Sequence, residues 1–391
     1  MQTILILAIT LSAGAFLAWP RLAKATLWRA TITPLASIIG SGFLVLGPVL
    51  NAAYGGFAPL AMAALCLVAW GFGTAIRANI ARRAAGVRSA FEERVETLAS
   101  WALAVAYFIS VAYYLNLLGA FGTHLTPWND TVYARVLTSA VLLAILVIGW
   151  RKGFAALERL EQVSVGLKLA IIAGLLAGLA WYVAGLASQG GLRIDAPSET
   201  GWSGLAIGFG LIVTVQGFET SRYLGDEYDA ATRIRSMKLA QIVSAAIYMV
   251  YVAMLAYAFD TPDGALDETA IIGMMAQVSP ILPLLLTAAA LAAQFSAAVA
   301  DTGGAGGLVE ELTRRRVPLR VCYAALVGFG LMLTWGADVF QIIAYASRAF
   351  AAYYALQCLI AWRGARGTRA ALFGALALLG AAITLFGVPI E

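Results

Sequence analysis

The sequence predicts an all-α integral membrane protein with about twelve transmembrane helices, and three observations lead to that prediction. Of the 391 residues, 61% are hydrophobic and only 12% are charged, whereas soluble domains are nearer to half apolar and a quarter charged. The apolar residues are gathered into long segments separated by short connections. The basic residues are concentrated in every second connection. A water-soluble globule of this composition is therefore excluded.

The apolar segments have the length that a membrane-spanning helix requires, which is about 20 mostly apolar residues. The connections contain no Pro/Ser-rich linker and no low-complexity tract. We therefore expect a single transmembrane domain over residues 1–391. The predicted spans are 2–20, 30–54, 57–78, 96–119, 132–150, 164–187, 203–222, 237–259, 278–309, 318–335, 338–361 and 370–388.

The first segment resembles a signal peptide in length, but its charges are in the wrong order. No basic residue precedes its apolar core, and Arg21, Lys24 and Arg29 follow it. A cleaved signal carries its positive charge first. We expect residues 1–22 to form a retained helix whose N-terminus lies outside the cytoplasm.

The positions of the basic residues predict the orientation of the chain. If the connection 21–29 is cytoplasmic and the sides alternate, 23 of the 26 Lys and Arg residues lie on or near the cytoplasmic side. Such asymmetry follows the positive-inside rule. We expect a multi-pass protein of the inner membrane with both termini outside the cytoplasm. The net charge of +5 is then an orientation signal, and the bilayer, rather than a nucleic acid, is the expected partner.

The composition argues against most membrane-enzyme chemistries. The three cysteines lie in apolar runs, and the single His124 lies in a short polar stretch where we expect it to be solvated. No Cys/His cluster suggests a metal site or a disulfide framework, and no Walker-type phosphate loop is present. We expect no cofactor, no metal and no enzymatic activity. A channel would need a repeated pore-lining ring, which the sequence lacks.

Four ionisable residues lie at membrane depth: Lys168, Glu219, Asp301 and Arg348. Such residues face a cavity or each other, and they are functional candidates by default. Two alternatives remain open. Lys168 is near enough to the cytoplasmic end of its span to extend its ammonium to the interface. Arg348 could form a static ion pair with one of the two carboxylates.

Glycines combined with polar residues interrupt two spans at corresponding places. Gly40-Ser41-Gly42 interrupts the second segment, and Gly217-Phe218-Glu219 interrupts the seventh. An unwound backbone there would expose N–H and C=O groups to a substrate. Glycine also occurs in membrane helices simply because it allows close packing, which is the expected role of Gly174-x-x-x-Gly178. The glycine-rich run that follows Asp301 fits either explanation.

These motifs resemble the amino acid–polyamine–organocation (APC) superfamily over roughly residues 30–390. The run Ile39-Gly40-Ser41-Gly42-Phe43 is similar to the G-S-G motif of that family's first helix. Residues 217–251, with Asp226-Glu227 and Arg233-Ile234-Arg235, resemble its sixth helix, the following loop and its seventh helix. Gly153, followed by Leu160, Glu161 and Lys168, resembles the passage from the fourth to the fifth helix.

The resemblance implies a LeuT-type fold with two inverted five-helix repeats, here 30–187 and 203–361. The helix at 1–22 would be an addition, and 370–388 would be the last helix. It also implies a substrate site between the two broken helices. The residues implied in substrate binding are Gly40, Ser41, Gly42, Gly217, Phe218 and Glu219.

The resemblance implies roles for the remaining deep charges as well. Lys168 matches a lysine that replaces a sodium ion in proton-coupled or ion-independent members, and we expect it to form a buried pair with Asp301. Arg348 and Glu219 would meet in an outer gate, unless Glu219 binds a cationic substrate directly. The prolines usual after the sixth helix are absent at 229–237, and so is the family's Ser/Arg pattern in the eighth helix.

The function that this pattern favours is secondary active transport of a small amino acid or related organic amine. Protons are the expected coupling ion, in symport or exchange, and the mechanism is alternating access around the broken helices. An inorganic-ion transporter on the same fold is the alternative, since deep carboxylates also suit cations. The sequence leaves open the substrate, the direction of transport and the oligomeric state.

Overall fold

Helices make up the regular structure of this chain. The computed structural model describes residues 2–40, 42–152, 155–225, 227–260 and 266–390, and no strand occurs within these ranges. Short 3₁₀ segments lie at Gly55–Phe57, Ile212–Val215 and Phe218–Tyr223. The α-helices are α1 (Gln2–Leu17), α2 (Pro20–Ala23), α3 (Thr26–Ile38), α4 (Gly42–Tyr54), α5 (Ala58–Ala84), α6 (Ala90–His124), α7 (Thr131–Lys152), α8 (Ala155–Ser188), α9 (Gly201–Gly210), α10 (Ala230–Ala258), α11 (Ala270–Val278), α12 (Leu282–Leu312), α13 (Leu319–Gly336), α14 (Val339–Gly364) and α15 (Thr368–Phe386).

Each predicted span coincides with helical structure, either as one helix or as two pieces. Eight stretches of the described residues are long and apolar enough to cross a membrane, one of them being α4 and α5 together. The predicted spans 30–54 and 203–222 are each divided. Their first pieces, α3 and α9, have only 13 and 10 residues. An all-helical, multi-pass membrane protein is therefore confirmed, while the number twelve stays a prediction.

A hydrogen bond and an ion pair join the connections that share the predicted cytoplasmic side. Arg82 Nη1 donates to the carbonyl oxygen of Gly364 at 2.7 Å, and Arg222 pairs with Glu96 at the end of another connection. We call the end of the molecule that contains these four residues the basic end.

Connections predicted on the other side also meet one another. The backbone N–H of Glu199 donates to the carbonyl oxygen of Ala53 at 3.0 Å. His124 Nδ1 lies 2.7 Å from the Thr269 hydroxyl. His124 is half-buried, so it keeps the solvent-exposed side expected from the sequence and also contacts a second connection.

The two divided spans pack directly against each other at their breaks. A Cβ atom added at Gly42 would lie 2.8 Å from Thr214 Cα, and one added at Gly217 would lie 2.5 Å from Ser37 Oγ. Gly217 also has a φ angle of +117°, which side chains other than glycine's rarely allow. Each break therefore depends on a glycine that admits the backbone of the other.

Tyr248 on α10 stabilises both breaks with one hydroxyl group. Its oxygen lies 2.8 Å from the carbonyl oxygen of Ile38 and 2.8 Å from that of Thr214. These carbonyls lack a helical partner because α3 ends at Ile38 and the backbone around Thr214 is 3₁₀. A buried carbonyl must be satisfied by some other group, and here the single O–H of Tyr248 lies within hydrogen-bond distance of both carbonyls and is shared between the two breaks.

The N-terminal helix α1 packs along α8. A Cβ added at Gly174 would clash with Thr10 Oγ1, and one added at Gly178 would lie 2.7 Å from Ile6 Cδ1. Gln2 Nε2 donates to the carbonyl oxygen of Gly178 at 3.1 Å. The close-packing role predicted for Gly174-x-x-x-Gly178 is confirmed.

We expect Gly217→Ala to destabilise the protein by about 2 to 4 kcal/mol, since it combines a disfavoured φ angle with a steric clash. Thermal unfolding in detergent measures the effect. Gly303→Ala on α12 is the control, because an added Cβ there meets no atom within 4 Å. Equal melting temperatures for the two variants would contradict the packing of the breaks described above.

Tyr248→Phe removes only the shared hydroxyl, and we expect a loss of about 1 to 3 kcal/mol because a buried carbonyl is left unsatisfied. Tyr251→Phe is the matched control, since the Tyr251 hydroxyl lies 3.5 Å from its acceptor on Leu44. The melting temperature of the control is expected to stay close to that of the wild type. The reverse order of stabilities would show that Tyr248 does not hold the breaks.

Candidate functional site

A cavity of about 440 Å³ lies beside the two breaks and is lined by both of them. Ser37 near the end of α3 and Thr220 in the 3₁₀ segment 218–223 form one wall, while Lys168 on α8 and Asp301 on α12 belong to the other. Glu311, which is exposed, lines it near the end of α12. We call it the central cavity; it extends along α12 as far as the exposed Glu311.

Lys168 completes the end of the broken helix α3. Its side chain is buried, and Nζ donates to the carbonyl oxygen of Ala36 at 2.6 Å. The last four carbonyls of a helix have no partner within the helix, and a cation near them is also favoured by the helix dipole. The ammonium does not extend to the interface as the snorkelling alternative required.

Asp301 lies on the wall of the central cavity formed by α12. It is 6% exposed, and one of its carboxylate oxygens accepts the hydroxyl of Ser110 on α6. Ser110 Oγ also lies 3.1 Å from the carbonyl oxygen of Tyr107. The structure thus brings Lys168 and Asp301 to one cavity, and their direct pairing stays a prediction.

Glu219 is fully buried and faces α14 instead of the central cavity. Its Oε2 accepts the N–H of Gly217 at 2.9 Å and the hydroxyl of Tyr354 at 2.8 Å. The ring of Phe218 stacks on that of Tyr354 at 5.2 Å between centroids. Both residues therefore hold the turn at Gly217 in place.

Among the described residues, those predicted to bind substrate are not the ones that line the central cavity. Gly42 and Gly217 pack between the breaks, and Gly40 lines a separate small chamber. Ser41, Gly153 and Asp226 lie outside the described residues. Sequence reasoning missed Thr220 and Tyr223, which follow the predicted motif directly and do line the cavity.

The structure does not bring Arg348 and Glu219 together. Arg348 Nε donates to the carbonyl oxygen of Thr384 at 2.8 Å, in the last turn of α15. That carbonyl has no helical partner, so it attracts the guanidinium away from the interior. The outer gate pair expected from the sequence is absent from the described contacts, and so is a pair between Arg348 and Asp301.

Sequence reasoning also missed a buried ion-pair network at the basic end. Glu96 on α6 pairs with Arg222, which follows the second break, and with Arg88 at 3.3 Å. Gln357 Nε2 on α14 lies 3.5 Å from the same carboxylate. Glu96 and Arg222 lie at span edges, where a charge is normally solvated. Their burial as an ion pair is visible only in the folded structure.

We expect Arg222→Gln to cost about 3 to 5 kcal/mol, because it leaves the buried Glu96 carboxylate without its main partner. The double variant with Glu96→Gln should recover part of that loss in thermal unfolding. Arg315→Gln is the control, since its pair with Glu310 is long, at 3.9 Å, and exposed. Additive effects of the two buried substitutions would show that the pair is not coupled.

The comparisons with known proteins agree with this architecture. A family model described as APC superfamily transporter matches residues 20–387. An uncharacterized protein of Aquifex aeolicus (strain VF5) is 42% identical over 353 residues, which covers 88% of this chain and 85% of the relative. The match to the family model begins at residue 20. It therefore includes both broken spans and the central cavity and leaves out α1. This chain belongs to the APC superfamily of transporters.

Proposed function

We propose that the chain is a secondary active transporter of a small amino acid or related organic amine, coupled to protons or working as an exchanger. Its fold would be the LeuT-type arrangement, with inverted repeats at 30–187 and 203–361. The protein would lie in the inner membrane. Its basic end would face the cytoplasm, and both termini would lie on the opposite side. The central cavity would then be the substrate site in a state open to the cytoplasm.

The observation that carries the proposal is the presence of opposite charges, Lys168 and Asp301, in one cavity beside two broken helices. A volume of about 440 Å³ lies in the range of about 300–1,000 Å³ that is typical of sites for small organic ligands. A zwitterion offers a carboxylate and an ammonium that complement the two side chains. These features support an amino acid or amine over a bare inorganic ion.

The position of Lys168 supports a link between protonation and the shape of the site. Its ammonium satisfies a carbonyl at the end of α3, and that helix end forms a wall of the central cavity. Loss of a proton would remove the positive charge at this helix end and weaken the contact. A proton at Lys168 would therefore favour the present arrangement of the break, and its release would favour another.

A thermal-shift screen of the purified protein tests the substrate class. Ligand binding to the native state raises the melting temperature by mass action, so amino acids and amines should give the larger shifts. Metal cations and inorganic anions are screened in parallel. A response to inorganic ions alone would overturn the proposal in favour of the ion-transporter alternative, which the deep carboxylates of Asp301 and Glu219 also suit.

We expect Lys168→Ala and Asp301→Ala each to reduce proton-driven uptake by about tenfold or more, because each removes one of the two opposite charges at membrane depth in the central cavity. Radiolabelled L-alanine in proteoliposomes with an imposed pH gradient is the probe. Glu310→Gln is the control, because it removes a carboxylate of α12 that does not line the central cavity. Full proton-driven uptake by both alanine variants would overturn the coupling role.

A further inference from the structure

A groove of about 550 Å³ lies between the N-terminal helix α1 and the helices α3 and α8. Leu11 on α1 and Leu167 on α8 line it and are exposed, so it opens on the outer surface of the helix bundle. The described residues that line it carry no charge. We call it the N-terminal groove. Because its helices belong to predicted membrane spans, the groove is continuous with the hydrocarbon of the bilayer.

The groove forms because α1 and α8 diverge. A Cβ added at Gly178 would lie 2.7 Å from Ile6 Cδ1, whereas one added at Gly14 would lie 3.7 Å from Ala170 Cβ. One added at Gly166 would meet no atom within 4 Å. The two helices are therefore in tight contact around Gly178 and leave a gap near Gly166, towards the end of α8 that is predicted to be cytoplasmic.

The length of the groove suits one lipid acyl chain. Along α1 its lining runs from Thr10 to Ala18, which is about 12 Å for an α-helix. The hydrocarbon core of a bilayer is about 30 Å thick, so one leaflet supplies about half of that distance. Trp28 also lines the groove, and tryptophan is enriched where a helix meets the membrane surface. The groove thus extends from the interface through most of one leaflet.

Three basic residues flank the interfacial end of the groove. Arg21, Lys24 and Arg29 are exposed, and they are close in the chain to Ala23 and Trp28, which line the groove. None of the three forms an ion pair with an acidic side chain among the described residues. No Asp or Glu precedes residue 92, so α1, α2 and α3 supply no carboxylate of their own. Basic residues beside a membrane helix attract anionic lipid head groups.

The groove and the central cavity lie on opposite faces of one wall, which α3 and α8 form. On α8, Leu167 and Leu169 line the groove, while Lys168 between them lines the cavity. On α3, Ile32 lines the groove and Thr33 lines the cavity. A molecule in the groove therefore packs against the outer face of this wall and stabilises the contact between the two helices.

We propose that the N-terminal groove binds one membrane phospholipid with an anionic head group. One acyl chain lies between α1 and α8, and the phosphate meets Arg21, Lys24 and Arg29. The site joins α1, which lies outside the match to the family model, to α3 and α8, which lie within it. The lipid therefore fixes the additional helix to the two helices that form a wall of the central cavity. Binding of this lipid needs no transported substrate.

Thermal unfolding of the delipidated full chain in detergent tests the head-group preference. Dioleoylphosphatidylglycerol is the anionic probe, and dioleoylphosphatidylcholine is the zwitterionic one. A ligand of the native state raises the melting temperature, and we expect the anionic lipid to do so at about a tenfold lower concentration, because only its net charge complements the basic residues. Equal responses to the two lipids overturn the proposal.

The variant Arg21→Gln/Lys24→Gln/Arg29→Gln tests the head-group contacts. We expect it to lose the preference for the anionic lipid, since it removes the three charges that meet the phosphate. A preference as large as that of the wild type overturns the site.

The matched control removes three basic residues elsewhere on the same predicted side, in Arg363→Gln/Arg366→Gln/Arg369→Gln. These residues are exposed and do not line the groove. We expect the control to keep the full preference for the anionic lipid. An equal loss in both triple variants would show a general attraction between basic residues and anionic lipid, and it overturns the site.

The variant Gly166→Leu tests the seat of the acyl chain and keeps every charge. An added Cβ at Gly166 meets no atom within 4 Å, so leucine fills the groove without displacing α1. We expect the phosphatidylglycerol retained on the protein, counted by native mass spectrometry, to fall about tenfold.

Gly328→Leu on α13 is the control for this substitution, since a Cβ there is equally unobstructed and the residue does not line the groove. We expect it to retain phosphatidylglycerol as the wild type does. Retention by Gly166→Leu that equals retention by Gly328→Leu overturns the acyl-chain seat and with it the proposal.

Discussion

The structure depends on one constraint, which is that backbone groups freed by a helix break inside the membrane must be satisfied by the protein itself. Here polar side chains do so at the two breaks, two of them from other helices and one from the broken span itself. The Tyr248 hydroxyl meets carbonyls of both broken spans, Lys168 donates to Ala36, and Glu219 accepts the N–H of Gly217. Because Tyr248 lies on α10 and Lys168 on α8, helices outside the two breaks help to fix the backbone there. Of these three side chains, Lys168 is the one that also lines the central cavity.

Three basic side chains use the same physical device at different helix ends. Lys168 reaches the end of α3, Arg348 reaches the end of α15, and Arg82 reaches Gly364 at the end of α14. In each case a cation meets carbonyls that the helix cannot satisfy, and the helix dipole adds to the attraction. A positive charge at membrane depth is thus not by itself a sign of function. Among the three, Lys168 alone lines the central cavity, and this is what separates it from the other two.

The sequence was sufficient to locate the spans, both breaks and the deep charges, because length, apolar composition and glycine content are local properties. It was insufficient to orient side chains around each helix. Glu219 was expected to face substrate but faces Tyr354, since a helix surrounded by apolar neighbours has no polar stripe that reveals its rotation. The sequence predicts a pair between Arg348 and a carboxylate, whereas the structure pairs Arg348 with the carbonyl oxygen of Thr384. Backbone carbonyls at the end of a neighbouring helix are not visible in the pattern of charged residues. Glu96 and Arg222 escaped notice because their partner lies far along the chain.

The packing of α1 along α8 has a mechanical consequence. At Gly174 and Gly178 the side chains of α1 lie directly against the backbone of α8. A change in the tilt of α8, the helix that carries Lys168, would therefore require α1 to move with it. The 3₁₀ segment Phe218–Tyr223 has only six residues, and its contacts with Tyr354 and Glu96 tie it to α14 and α6. We expect α1 and α8 to move as one unit, so that a change in the tilt of α8 would carry Lys168 and α1 together.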